Sequence, residues 1–242
     1  MGYLVAGYPD RKSSLRIFRN CCAAGLDILE IGFPARDASL DGDVIRKAQA
    51  RAEQSVAQDI DYWRAVRSAV PTPIWIMGYQ QDLLEGDMYL RLAREGLYNA
   101  LVIPDATLAE QENIRQRLAA YGVSVVGFIN SRMDRAEVER VLTDTDLIYH
   151  QLYCGPTGVT HNDSGYLPLY RYARAHSKAK IYAGFGINSA QRVQELLRHG
   201  YDGAIIGSAI VSHLLENEQS VYRFIRDIRH SMENIHNAEA CL

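Results

Sequence analysis

Two carboxylates, Glu30 and Asp41, mark a stretch of the chain that passes from an apolar segment into a polar loop. Glu30 stands in the run Leu29-Glu30-Ile31-Gly32, where a carboxylate is unfavourable unless it is hydrogen-bonded or used in chemistry. Burial raises the pKa of a carboxyl group, which suits it to general acid and base catalysis. Asp41 comes shortly before a helical pattern that begins near Val44. The alternatives are a structural glutamate and an N-cap or turn aspartate.

Two later segments, residues 184–189 and 203–209, combine glycines with hydroxyl or amide residues. Each joins an apolar run to a helical pattern. Glycine lets the backbone approach a ligand closely, and the free N–H groups at a helix N-terminus attract anions. The two segments together predict a phosphate site, with tight turns as the alternative. The dinucleotide-binding fingerprint is not met, because Ser189 stands where its third glycine or alanine would be.

A further glycine-rich loop covers residues 153–160 and follows another apolar run. A loop of this kind can fold over a bound ligand. Tyr149, within the preceding run, is placed to point into the same site, and core packing is the alternative for its side chain.

These residues need elements that bring them to one place. Eight short apolar, β-branched or aromatic runs alternate with segments of helical spacing, which predicts a parallel sheet with helices outside it. The runs cover residues 3–5, 26–31, 74–77, 100–103, 124–129, 147–152, 181–183 and 204–206. Eight units in this length predict an α/β fold of the (β/α)8 TIM barrel type. A doubly wound open sheet is the alternative, because periodicity does not show closure.

Glycines also predict where helices end. Four of them stand between a helical pattern and the next apolar run, which is the position of a left-handed C′ residue: Gly25, Gly96, Gly122 and Gly200. In a barrel, catalytic and binding residues lie at the C-terminal ends of the strands and in the loops that follow. Glu30, Asp41 and the glycine-rich segments all stand there.

Composition excludes several classes of protein. The chain has 242 residues, a formal net charge of −3, 48% hydrophobic residues and 23% charged residues. A disordered chain and a basic nucleic-acid binder are excluded, and the apolar runs are far shorter than the ~20 residues of a membrane span. Four cysteines without a CxxC pair, and an N-terminus without a signal pattern, favour a cytoplasmic protein with reduced thiols and no metal site. We expect one domain over residues 1–242, with a frayed tail from about residue 231.

The ordered set of motifs resembles the tryptophan synthase α subunit family over nearly the whole chain. Glu30-Ile31-Gly32-Phe33-Pro34, then Asp37, then Asp41-Gly42, follow the family signature E-[LI]-G-x-P-F-S-D-P-x-A-D-G-P. Further matches lie in residues 3–9, 103–105, 155–158, 184–187 and 207–211.

The resemblance implies a lyase of tryptophan biosynthesis that cleaves indole-3-glycerol phosphate to indole and glyceraldehyde 3-phosphate, without metal or organic cofactor. It implies that Glu30 is the general acid and base, and that Asp41 binds the indole N–H. It also implies phosphate ligands and residues of the indole pocket and its loop. The phosphate ligands are Gly158, Gly186, Gly207 and Ser208, and the pocket and loop residues are Tyr3, Tyr149, Thr157 and Phe185.

Departures from the family pattern leave the partner and the substrate open. The family's α subunit contacts a β subunit through loops that differ here: Ala-Arg-Asp-Ala stands at 35–38, and Leu152-Tyr153 precedes the later loop. The extra N-terminal helix of the family does not precede the first run. Arg36 can meet an additional anion. A stand-alone lyase, a paralogue acting as aldolase or isomerase on another phosphorylated substrate, and a catalytically silent partner subunit are the alternatives.

Overall fold

The computed structural model describes residues 1–153 and 165–239, with side chains up to residue 233. The strands are β1 (Gly2–Val5), β2 (Leu29–Gly32), β3 (Ile74–Met77), β4 (Ala100–Val102), β5 (Ser124–Val125), β6 (Gly127–Ile129), β7 (Leu147–Gln151), β8 (Lys180–Gly184) and β9 (Gly203–Ile205). The helices are α1 (Arg11–Ala23), α2 (Asp43–Arg51), α3 (Ile60–Ala69), α4 (Gln80–Leu83), α5 (Met88–Arg94), α6 (Leu108–Leu118), α7 (Arg135–Asp144), α8 (Leu167–His176), α9 (Ala190–Arg198), α10 (Ser208–Glu216) and α11 (Glu218–Glu239).

The strands form a closed parallel ring. Strands β1 to β5 make one sheet in chain order, and β6 to β9 make another. The two sheets are joined by the segment that holds β5 and β6: β5 pairs with β4, β6 pairs with β7, and the Val126 amide between them extends the β4 pairing by donating to the Leu101 carbonyl at 2.9 Å. At the other side, Gly2 forms a parallel bridge with Ile206, whose carbonyl accepts from the Tyr3 amide at 2.9 Å. The closure excludes the open-sheet alternative and confirms the barrel.

The fifth predicted strand, 124–129, is two strands in the structure. β5 pairs with β4 and β6 pairs with β7, so the chain changes its partner at Val126. The next residue is Gly127, where a Cβ would lie 2.6 Å from Val141 Cγ1 of α7. The helix therefore packs directly on the backbone at the point of change. When β5 and β6 are counted as one barrel strand, the eight predicted strands are recovered.

Helix ends follow the local sequence signals. The four glycines predicted at C′ positions all have positive φ, from 65° at Gly96 and Gly122 to 123° at Gly25, which confirms the prediction. At the opposite end, α6 and α7 begin with capping boxes, formed by Thr107 with Glu110 and by Asp134 with Glu137.

Side chains of the strands alternate between two apolar clusters. The inner cluster fills the barrel, where Trp75 of β3 meets Tyr182 of β8 edge to face at 5.0 Å between ring centroids. The outer cluster lies between strands and helices and includes Ile74 and Ile76, on either side of Trp75. The alternation fixes which strand residues reach the interior, and therefore which can contribute to a site there.

The C-terminal helix α11 continues to Glu239. The single-domain organisation over residues 1–242 and the frayed tail from about residue 231 stay predictions. Among the residues that the structure describes, no helix combines the length and the apolar character needed to cross a bilayer.

Candidate active site

Glu30 faces the barrel interior from β2. It is in register with Tyr3 on β1 and Trp75 on β3, and its side chain is 2% exposed. Burial is the largest cause that raises the pKa of Glu30 to about 8; the nearby charge of Asp41 acts in the same direction, and the N-terminal ammonium opposes it. The carboxyl group therefore carries a proton near neutral pH and can act as an acid.

Asp41 lies in the loop between β2 and α2 and is 5% exposed. Gly42 is the N-cap of α2, and the Asp41 amide donates to the Ala38 carbonyl at 3.0 Å, so the N-cap alternative is wrong. Burial raises the pKa of Asp41 to about 6, while the adjacent Tyr79 hydroxyl acts to lower it. The buried Oδ2 atom of Asp41 has no hydrogen-bond partner among the described residues. Because a buried acceptor without a donor is unfavourable, this oxygen suits an N–H group of a ligand.

The two carboxylates line one cavity of about 90 Å³ at the C-terminal end of the strands. Three of the predicted pocket aromatics, Tyr3, Tyr149 and Phe185, are also walls of this cavity. Phe128 stacks on Tyr149, with ring centroids 5.2 Å apart and an interplanar angle of 27°. The result is an apolar chamber, bounded by rings, with one carboxyl group on β2 and another on the loop that follows it.

Tyr149 reaches this chamber because the neighbouring strand has a glycine beside it. A Cβ at Gly184 would lie 2.1 Å from Tyr149 Cε1, which no side chain tolerates. Tyr149 therefore belongs to the packed core and also lines the cavity. The two interpretations of this residue from the sequence, a site residue and a core residue, both hold.

A second cavity of about 340 Å³ adjoins the first, and Tyr149, Phe185 and Gly207 are walls of both. The predicted phosphate ligands Gly186, Gly207 and Ser208 line it. Gly207 is the N-cap of α10 and offers no side-chain cap, so the first amides of this helix have no side-chain acceptor among the described residues. Amides at a helix N-terminus are donors for an anion, which makes this cavity suitable for a phosphate group.

Phe185 lines both cavities, and its backbone is strained. Its φ is 76°, in the left-handed region that disfavours a bulky residue and costs about 1–3 kcal/mol. Gly186 follows with a φ of 68°. The Phe185 ring meets Tyr149 edge to face at 6.1 Å, while the backbone of the next residue faces the second cavity. The turn thus serves both cavities.

Some predicted residues lie elsewhere, and some lining residues were not predicted. Thr157 and Gly158 fall outside the described residues. Tyr79 lies two residues after the end of β3 and lines the first cavity; its place after a strand is a signal that sequence analysis could have used. Arg36 is paired with Asp82 and Glu85, so the idea that it meets a substrate anion loses its basis. No cluster of three His, Cys, Asp or Glu side chains within the described part of the chain is arranged to hold a metal ion.

Comparisons with known proteins agree on one family. The family model described as tryptophan synthase alpha chain matches residues 1–240. The alpha chain of Phenylobacterium zucineum is 30% identical over 222 residues, which cover 88% of this chain and 80% of the relative. The alpha chain of Acaryochloris marina is 28% identical over 243 residues, which cover 95% and 91% respectively.

Solved structures share the fold. The tryptophan synthase subunit alpha of Legionella pneumophila superposes with a TM-score of 0.83 at 20% identity, covering 96% of this chain and 92% of that one. A chain of Mycobacterium tuberculosis tryptophan synthase gives a TM-score of 0.84 at 23% identity, covering 95% and 90%. The extent of the family match, the relative at 30% identity and the common barrel lead to one conclusion: this chain belongs to the tryptophan synthase alpha chain family.

Proposed function

We propose that this protein cleaves indole-3-glycerol phosphate to indole and glyceraldehyde 3-phosphate by acid–base chemistry of the retro-aldol type, which makes it a carbon–carbon lyase. One observation carries the proposal: Glu30 and Asp41 line a single apolar chamber that adjoins a helix N-terminus suited to phosphate. Family membership supports the reaction and does not favour the two alternatives, an enzyme for another phosphorylated substrate or a silent partner.

The substrate fits the two cavities in one orientation. The flat indole ring occupies the aromatic chamber, between Tyr149 and the carboxylates. The phosphate lies in the second cavity against the backbone of Gly186, Gly207 and Ser208. Binding energy from the phosphate, which is remote from the breaking bond, holds the ring in place for proton transfer.

The chemical steps use the two carboxyl groups at different positions of the substrate. The protonated Glu30 carboxyl delivers its proton to indole C3. The Asp41 carboxylate accepts the ring N–H through its unpartnered oxygen and stabilises the positive charge that develops on the ring. Glu30, now a carboxylate, then takes the proton of the adjacent glycerol hydroxyl. The carbon–carbon bond breaks, its electrons return to the ring, and the hydroxyl carbon becomes the aldehyde.

The direct test is to incubate the protein with indole-3-glycerol phosphate and measure free indole. Release of indole supports the proposal, and no release with or without an added β subunit contradicts it. Thermal stabilisation separates the alternatives. Indole-3-glycerol phosphate should raise Tm more than phosphorylated sugars do, whereas a larger effect of a sugar phosphate favours another substrate.

A β subunit is the expected partner, because the relatives are alpha chains of tryptophan synthase. Adding a β subunit should produce a complex on size-exclusion chromatography and increase the rate of indole cleavage. Separate elution together with an unchanged rate would favour a lyase that works alone.

A cytoplasmic location completes the proposal. Cys21 and Cys22 are buried free thiols, as in proteins of a reducing compartment. Microscopy of a fluorescent fusion in the source cell, or fractionation, tests it.

A further inference from the structure

Resting on the proposed function, we infer that the ion pair between Arg36 and Asp82 is a positioning device for Asp41. Arg36 lies in the β2–α2 loop that carries Asp41, and Asp82 lies in α4, on the segment that follows β3. The pair joins these two segments at the mouth of the barrel. It lets the chain hold its own catalytic aspartate in place.

Three contacts attach Arg36 to the β3–α4 segment. Its Nε atom donates to Asp82 Oδ1 at 2.8 Å, and its backbone amide donates to the same oxygen at 3.3 Å. The guanidinium also donates to the Gln81 carbonyl. Asp82 is 3% exposed at its side chain, so its charge is largely removed from water and needs this partner. The Arg36 side chain is 60% exposed, but its removal would leave a buried carboxylate without its cationic partner, which is more costly than breaking an ordinary surface pair.

The same short segment carries Tyr79, the neighbour of Asp41. Tyr79 is the N-cap of α4, and its carbonyl accepts from the Asp82 amide at 3.1 Å and from the Leu83 amide at 3.0 Å. Tyr79 and Asp82 are thus fixed relative to each other within one turn. The β2–α2 loop contacts this turn at two points, with Asp41 beside Tyr79 and Arg36 on Asp82. A displacement of the loop at Arg36 therefore also displaces Asp41 relative to Tyr79.

Hydrogen bonds within the loop transmit the constraint. The Ser39 amide donates to Asp37 Oδ1 at 2.9 Å, and the Asp41 amide donates to the Ala38 carbonyl at 3.0 Å. These turns restrict the conformation of the backbone between Arg36 and Asp41. The start of the loop is held separately by the buried Gln49 of α2, whose Oε1 accepts from the Ala35 amide at 3.2 Å.

Loss of the pair has a pH signature. Within the described part of the chain, the titratable groups that interact with the Asp41 charge come from five segments: Tyr3 of β1, Glu30 of β2, Arg46 of α2, Tyr79 before α4 and Tyr149 of β7. Burial is the largest cause of the raised pKa of Asp41. A loosened loop admits water, so the pKa of Asp41 falls from about 6 towards its ordinary value. The acid limb of kcat/KM, which requires the Asp41 carboxylate, then moves to lower pH.

The experiment compares wild type, Arg36→Ala and Arg36→Lys with Arg64→Ala as the matched control. Arg64 is also half-exposed and also bridges two carboxylates, Asp61 and Glu95, each at 2.7 Å, but away from both cavities. For Arg36→Ala we expect kcat/KM on the pH plateau to fall about tenfold, mainly in kcat, because misplacement of a catalytic group slows the chemical step. The acid limb should shift to lower pH. Arg36→Lys should restore most of the rate, and Arg64→Ala should change neither quantity.

A second readout does not depend on turnover. The Asp41 carboxyl can be followed by 13C NMR during a pH titration, with its signal assigned by its loss in Asp41→Asn. A lower titration midpoint in Arg36→Ala than in wild type supports the inference even if indole is not released, a result that would contradict only the proposed function. An unchanged midpoint overturns the inference, and so does a rate loss accompanied by lower Tm without any shift of the acid limb.

Discussion

The backbone of Gly32 lies against the hydroxyl of Tyr3 so closely that a Cβ at Gly32 would be 2.1 Å from the tyrosine oxygen. Tyr3 lines the chamber that holds both carboxylates, and the Gln49 amide donates to its hydroxyl at 3.4 Å. The glycine that follows Glu30 in the Glu-Ile-Gly motif is therefore explained by packing. It leaves room for the Tyr3 side chain, which forms the cavity wall on β1, next to the strand that carries Glu30.

Replacing that glycine should displace Tyr3. Gly32→Ala inserts a methyl group into a filled site and should lower the free energy of unfolding by about 1–3 kcal/mol. It should also lower kcat/KM, since the chamber wall moves. Gly122→Ala is the control, because no atom lies within 4 Å of its Cβ position and only its positive φ, which costs an L-residue about 1–2 kcal/mol, opposes the change. Chemical denaturation and the indole assay measure both effects. Equal behaviour of the two variants in both assays would contradict the packing explanation.

A negative charge at the start of α10 should separate phosphate binding from stability. Ser208→Asp places a carboxylate where the helix dipole favours it, so Tm should not fall. The same charge repels a phosphate, and KM for indole-3-glycerol phosphate should rise about tenfold or more. Thr107→Asp makes the same change at the N-cap of α6 and should leave KM unaffected. An unchanged KM in Ser208→Asp would place the phosphate elsewhere.

The pH dependence of kcat/KM should be bell-shaped. Activity requires the ionised form of Asp41, whose pKa is raised to about 6, and the protonated form of Glu30, whose pKa is raised to about 8. The rate therefore rises through the first value and falls through the second. Initial rates at subsaturating substrate between about pH 5 and pH 9 give the profile. A rate that keeps rising above pH 8 would mean that Glu30 does not act as the acid.

Ionisation of Glu30 should make the folded protein less stable as the pH rises. Its pKa is raised from 4.5 in the unfolded chain to about 8 in the folded protein, so the unfolded state releases this proton first as the pH rises. Below pH 4.5 Glu30 is protonated in both states and its ionisation costs the folded state nothing. Between pH 4.5 and about pH 8 the free energy of unfolding decreases progressively, because the carboxyl group ionises in the unfolded chain but stays protonated in the folded one. Glu30→Gln removes this loss. The Tm of the variant minus that of wild type should grow across this window, and a constant difference would contradict the raised pKa.

Local signals predicted much of the fold. The glycines that end helices, such as Gly25, could be identified in the sequence because a backbone at positive φ strongly favours glycine. The alternation of side chains along β2 likewise predicts that the Glu30 side chain points into the barrel. The break of the fifth strand at Val126 was not predictable, because it depends on which neighbours each half pairs with. Nor was the partner of Arg36, because the Asp82 carboxylate is distant in the chain and meets it only when the loops come together.

Indole release by Glu30→Gln is the most direct test of the central claim. The amide keeps the shape of the side chain but cannot deliver a proton, and the loss of an acid–base group typically costs 10²–10⁴ in rate. We predict that the initial rate of indole formation from indole-3-glycerol phosphate falls at least about 100-fold relative to wild type. The variant should fold normally, with a Tm no lower than that of wild type at about pH 8. A rate within twofold of wild type would contradict the role assigned to Glu30.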